Sequence, residues 1–111
     1  MEQRSPFELA KDIQGLVQSR LRGTDVDSLP PTERELVRAL KRQLGDLRLD
    51  VRDYGLSETK AEQNVRGKAT ATGLAELERL LLATGSLGIF GAADMAIISA
   101  TIDVLRAELK E

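Results

Sequence analysis

One strictly spaced apolar repeat in the middle of the chain constrains its fold more than any other feature. Successive members are three, four, three, four and three residues apart, and they are Val37, Leu40, Leu44, Leu47, Val51 and Tyr54. We call these six residues the heptad seam, because the spacing places them at the a and d positions of nearly three heptads. The seam predicts a helix over residues 32–54 that packs at a shallow angle along another helix.

Capping signals indicate where the helices begin. Ser5 is followed three residues later by Glu8, which is the spacing of a capping box. Thr32 and Glu35 repeat that spacing at the start of the seam helix. Ser57 is the expected first residue of the next helix. With the apolar periodicity that follows each signal, the sequence predicts helices over residues 5–22, 32–54, 57–84 and 92–109.

Glycines are predicted to end or bend these helices. Gly55 and Gly85 each follow a long apolar-periodic run, which predicts a left-handed stop with positive φ. Gly67 and Gly73 lie inside the third helix, where each costs up to about 1 kcal/mol relative to alanine, and they predict a kink or a break. No strand pattern is present. The sequence therefore predicts one all-α domain, 1–111, a small antiparallel bundle of three to four helices that oligomerisation would complete.

The residue types that carry most protein chemistry are missing. The sequence contains no Cys and no His, which excludes disulfides, thiolate zinc sites and the commonest general base and metal ligand. Asp46, Asp50 and Asp53 share one helix face, but no imidazole is present to complete a metal site. We therefore expect a protein that is not an enzyme, with no catalytic residue, no cofactor and no metal.

Protein–protein contact is the function that the pattern favours. We expect a small non-catalytic interaction module, an adaptor, assembly or regulatory subunit, and a homo-oligomer ahead of a different partner protein. The heptad seam is the first predicted partner-binding site, although its partner is equally well the third helix of the same chain. Basic Arg34, Lys41 and Arg48 flank it, so either a homodimer through this helix is parallel or the partner is a different, more acidic helix. The second predicted site is an apolar turn, exposed or folded onto the core, formed by Leu87, Ile89 and Phe90.

A small DNA-associated regulator is the alternative. In the segment 54–59 a glycine, a leucine and a serine follow a helix, as in the turn of a helix-turn-helix unit. Lys60, Arg66 and Lys68 would then lie near phosphates. Residues 29–36 resemble the opening of the DNA-binding region of sigma factors and related response regulators, a likeness over eight residues that implies DNA binding. Against this, the net charge of −2 provides no general basic field.

The last helix is the most apolar part of the chain. Ile98 and Leu105 are expected to be buried at the centre of the core. Small residues at positions 93, 96 and 100 would let another helix approach closely. The uncharged run 80–93 is too short to span a bilayer, and the N-terminus lacks the apolar segment of a secretory signal. We therefore expect a cytoplasmic protein without a membrane span.

Overall fold

The chain forms an all-α bundle, as predicted. A computed structural model describes residues 5–85 and 87–109. Within these ranges there is no strand, and a short 3₁₀ turn, Val26–Ser28, interrupts the first connection. The four α-helices are α1 Pro6–Arg22, α2 Pro31–Gly55, α3 Lys60–Gly85 and α4 Ala92–Leu109.

The two longest helices, α2 and α3, form an antiparallel hairpin. The end of α2 meets the start of α3, where the amide Nε2 of Gln63 donates to the hydroxyl of Tyr54 at 3.4 Å. The middle of each helix meets further along, where the amide of Gln43 donates to the carbonyl of Gly73 at 3.2 Å. Only residues 56–59 connect the two helices, and such a short connection favours antiparallel neighbours.

The first and last helices complete the bundle. α1 packs on α2, and the guanidinium of Arg48 donates to the side chain of Gln14 at 2.8 Å. α4 packs on both α3 and α1. Its start meets the end of α1 through the ion pair of Arg20 with Asp94. Each helix is therefore antiparallel to its two neighbours, in an up-down-up-down arrangement that the contact of α1 with α4 closes.

The heptad seam lies in the core of this bundle. All six of its residues are buried, and all except Tyr54 share one apolar cluster with Leu74 and Leu77 of α3 and with Ile98 and Leu105 of α4. The expected burial of Ile98 and Leu105 is confirmed. The seam is packed by helices of its own chain, so the intramolecular alternative is the one that this structure contains. A parallel homodimer through the seam would require the bundle to open.

The predicted cap of α2 and the predicted start of α3 are wrong. α2 begins at Pro31, with Pro30 as its N-cap and no side-chain cap, because the fixed φ of proline suits the first helical position. Thr32 therefore lies inside the first turn. α3 begins at Lys60, where the hydroxyl of Thr59 accepts from the backbone N–H of Glu62 at 3.1 Å. The predicted capping box at the start of α1 is confirmed on its Ser5 side, whose hydroxyl accepts from Glu8 N–H at 3.2 Å.

The end of α2 also differs from the prediction. Gly55 is the last helical residue and its φ is not positive. A left-handed stop is unnecessary, because other donors satisfy the last carbonyls: Arg66 donates to the carbonyl of Asp53 at 2.7 Å, and Ser57 donates to the same oxygen at 3.3 Å. Gly85 likewise ends α3 without positive φ. Among the described residues, only Gly88 has positive φ, at 76°.

The glycines inside α3 do not break it, since the helix is continuous from Lys60 to Gly85. They lie instead where another helix approaches closely. A Cβ at Gly67 would lie 3.3 Å from Cε2 of the Tyr54 ring, and a Cβ at Gly73 would lie 3.2 Å from the amide nitrogen of Gln43. The absence of a side chain at these two positions therefore allows α2 and α3 to pack together.

Candidate functional site

The structure does not bring the predicted partner-binding residues to the surface. The heptad seam is buried, as described above. Of the turn residues, Phe90 is buried in the core cluster and Ile89 packs against it, whereas Leu87 is half-buried. The turn is therefore folded onto the bundle. The heptad seam therefore offers a partner no apolar surface unless the bundle rearranges, and the turn exposes only part of Leu87 and Ile89.

The three residues of the DNA-binding alternative differ in their exposure and contacts. Lys60 and Lys68 are exposed, but Arg66 donates to the carbonyl of Asp53 and lies 3.9 Å from the carboxylate of Glu62. α2 and α3 run antiparallel along their length, whereas the helices of a helix-turn-helix cross at about 90–120°. DNA binding here stays a prediction, which a salt-dependent shift on DNA, weakened by Lys60→Glu, would test.

A different surface, on α4, combines apolar character with exposure. Its large side chains are Ile97 and Val104, which are 56% and 51% exposed. We call it the outer α4 face, and its six exposed residues are Ala93, Ala96, Ile97, Ala100, Val104 and Ala107. None of the six carries a charge or a polar side chain. The face extends over about 21 Å of helix, at 1.5 Å per residue.

The sequence of α4 explains why this face exists. Buried Ile98, Ile102 and Leu105 recur at helical spacing and point into the core. Ile97 and Val104 each immediately precede a buried residue, so they lie beside the core stripe rather than in it. α4 is thus apolar on both its buried and its exposed sides, whereas a helix of this kind is usually enclosed on all sides.

One ion pair keeps charge away from the outer α4 face. Asp94 is the only charged residue between positions 80 and 102. It faces α1, where its two carboxylate oxygens accept from Arg20 at 2.7 and 2.9 Å. The Arg20 guanidinium, together with the backbone N–H of Gly91, lowers the pKa of Asp94 against a smaller opposing effect of burial. Asp94 therefore joins α4 to α1 as a carboxylate.

Asp103 marks the edge of the outer α4 face. Its side chain is exposed and lies 3.9 Å from the guanidinium of Arg106. Arg106 in turn forms an ion pair with Glu78 of α3. The charges of α4 therefore lie on the side next to α3 or at the helix ends. On the α3 side, an apolar cleft of about 100 Å³ adjoins the helix and is lined in part by Leu82, Met95 and Ser99.

Two other surface clefts lie away from α4. An apolar cleft of about 310 Å³ lies between the start of α1 and the end of α2, beside Phe7, Tyr54 and Leu56. A polar cleft between α2 and α3 contains Asp50, whose pKa is raised by burial and by the charges of Asp46 and Asp53. Within residues 5–85 and 87–109, no group of three or more acidic side chains is placed to hold a metal ion.

The sequence contained the signal for the outer α4 face, since the alanines of α4 were predicted to allow close approach of a helix. It could not indicate that this side is exposed.

None of the four helices, over the residues that the structure describes, is long and apolar enough to cross a membrane. Comparison of the chain with protein-family models, with curated proteins and with solved structures finds no match.

Proposed function

We propose that this chain is a small, non-catalytic protein-interaction module whose contact surface is the outer α4 face. The observation that carries the proposal is the exposure of six apolar residues, uninterrupted by charge, on one side of a helix whose other side is already buried. Contiguous apolar surface of this kind is typical of interaction sites on soluble proteins.

The contrast with α2 supports this proposal. Leu49 on α2 is 50% exposed, close to the value for Val104. Leu49 lies among polar side chains, between clefts that Arg48, Arg52, Asp46 and Asp50 help to line. Single exposed leucines in polar surroundings are ordinary and need no partner. Val104 differs because the other exposed residues of the outer α4 face are alanines and Ile97, and the nearest exposed charge, Asp103, lies at the edge of that face.

The small size of the alanines defines the kind of partner. With methyl groups at positions 93, 96, 100 and 107, the backbone of a second helix can approach closely, and Ile97 and Val104 can fit between its side chains. The expected partner element is therefore an α-helix with an apolar stripe. Adaptor, assembly and regulatory roles all use contacts of this type.

Site-specific photo-crosslinking in the cell that makes the protein tests the proposal. A photoreactive amino acid at Ala100 should yield a crosslinked product of higher mass. The same amino acid at Leu49, the matched exposed position on α2, should not. Absence of a product at Ala100, or equal products at both positions, would contradict the proposal.

A further inference from the structure

We infer that the partner of the outer α4 face is a second copy of this chain, with the two α4 helices packed antiparallel about a two-fold axis. This inference rests on the proposed function and adds the identity and orientation of the partner. Three features of α4 carry it: the spacing of large and small residues, the positions of the charges, and the length of the face.

The spacing makes the outer α4 face complementary to itself. Ala93, Ile97, Ala100, Val104 and Ala107 follow gaps of four, three, four and three residues, so alanine alternates with a branched side chain. In an antiparallel pair, Ile97 lies opposite Ala100 of the second copy, and Val104 lies opposite Ala93. Because the pair is two-fold symmetric, each of these contacts occurs twice, once with the two copies exchanged. Every central layer then contains one large and one small residue, which fills space while the backbones stay close.

Charge selects the antiparallel orientation. In a parallel pair with the same heptad positions, Asp103 of each chain would face Glu108 of the other, and two like-charge pairs would oppose association. In the antiparallel pair, Asp103 instead faces Ala96 of the second copy. Asp94 does not interfere, because it is turned toward α1 and bonded to Arg20.

The length of the face sets the expected strength of the dimer. α4 has 18 residues, or about 27 Å of helix, and one helix pair lies at the low end of the areas that specific interfaces bury. The inner side of α4 is already buried in its own bundle, so each copy folds without the other. We therefore expect a dimer that forms and dissociates with concentration.

Sedimentation equilibrium of purified protein tests for the dimer. The average mass should rise with concentration from 12.1 kDa toward twice that value. Val104→Glu places a carboxylate in two layers of the interface and should weaken dimerisation about tenfold or more. Leu49→Glu, with nearly equal exposure on α2, should dimerise as the wild type does. A wild-type chain that stays at monomer mass, or equal effects of the two variants, would overturn the inference.

Cysteine crosslinking tests the orientation and does not depend on whether a charged variant folds. The chain has no Cys, so each introduced thiol is unique. Mixing Ala93→Cys with a differently tagged Val104→Cys chain should give mixed disulfide dimers, because these positions face each other. Ala93→Cys alone should not crosslink, since its two copies lie 11 residues, about 16 Å, apart along the helix. Efficient crosslinking of Ala93→Cys alone would indicate a parallel pair and would overturn the antiparallel arrangement.

The outcomes separate this inference from the proposed function. Photo-crosslinking at Ala100 to a different protein, with a monomeric purified chain, would overturn the second copy as partner and leave the interaction module intact. If the monomer instead sediments with phosphatidylcholine–phosphatidylglycerol vesicles, and Val104→Glu abolishes this, the partner is a lipid surface. That result would overturn the second copy as partner. Absence of any product at Ala100, in a chain that nevertheless dimerises through α4 when purified, would contradict only the cellular function.

Discussion

α2 and α4 divide their residues between core and solvent in opposite ways. α2 buries its six seam residues and presents mainly charged side chains outward, so its sequence determines which face is buried. α4 is apolar on both sides, and Asp94 joins its start to α1 through the ion pair with Arg20. A helix with one apolar face buries that face on folding, whereas a helix with two leaves one of them exposed.

Adjacent residues on α4 provide the strongest test of this contrast. Leu105 is fully buried, and Leu105→Ala should lower the free energy of unfolding by about 2–5 kcal/mol because it leaves a cavity in the core. Val104→Ala, on the outer α4 face, should change it by less than about 0.5 kcal/mol at concentrations where the chain is monomeric. Urea titrations of both variants measure the difference. Equal losses would show that the outer side of α4 is also packed within the monomer.

The ion pair of Asp94 with Arg20 predicts that the stability of the fold depends on pH. Because Arg20 lowers the pKa of Asp94, the folded state favours the carboxylate. Its contribution to stability is fully present above the ordinary pKa of about 4 and is lost as the pH falls through the lowered pKa. Asp94→Asn should therefore lower Tm at neutral pH, and the difference from wild type should shrink in acid.

Asp103→Asn on the same helix is the control for that experiment, because Asp103 is exposed and lies at the edge of the outer α4 face. It should change Tm little at any pH. An Asp94→Asn variant that melts like the wild type from neutral pH into acid would show that the ion pair does not stabilise the fold.

Gly55 at the end of α2 and Gly88 in the turn that leads into α4 should respond oppositely to substitution by alanine. Gly55 is helical with open space around it, so Gly55→Ala should raise the free energy of unfolding by up to about 1 kcal/mol. Gly88 has φ of 76°, so Gly88→Ala should lower it by about 1 kcal/mol or more. Chemical denaturation of both variants would decide this, and a destabilised Gly55→Ala chain would contradict the observed helix end.

The smallest change in Tm is expected for a substitution on the acidic side of α2. Burial, Asp46 and Asp53 raise the pKa of Asp50, so its carboxylate is disfavoured in the folded chain, and stability falls as the pH rises through that raised pKa. Glu76 of α3 lines the same cleft. Asp50→Asn should therefore raise Tm slightly at neutral pH and have no effect in acid. A lowered Tm at neutral pH would show that the carboxylate makes a favourable contact.

The sequence was sufficient for the helices whose apolar residues are periodic. The heptad seam predicted α2 correctly, because a helix with one apolar stripe can bury only that side. The start of α2 was misplaced because Pro31 pre-sets a helical φ without needing the Thr32 hydroxyl. The end was predicted wrongly because Arg66, 13 residues further along the chain, donates to the Asp53 carbonyl and so satisfies a terminal carbonyl without a left-handed glycine.

The candidate site was harder to predict for a physical reason. On α4, apolar residues occur on all sides, so periodicity does not say which of Ile97 and Ile98 is buried. That choice depends on the tertiary contacts of α4 with α1 and α3. Periodicity also could not tell whether the heptad seam contacts a partner, because an apolar stripe that fits a second chain fits a neighbouring helix of its own chain equally well.

The bond between Arg20 and Asp94 also has a kinetic consequence, because it joins residues 74 positions apart. Closing so long a loop costs more chain entropy than joining α2 to α3 across residues 56–59. We expect the α2–α3 hairpin to dominate the folding transition state, and the contact of α1 with α4 to form after it. In stopped-flow experiments, Asp94→Asn should then accelerate unfolding while leaving the refolding rate nearly unchanged. The pair would set how long a molecule stays folded rather than how quickly it folds.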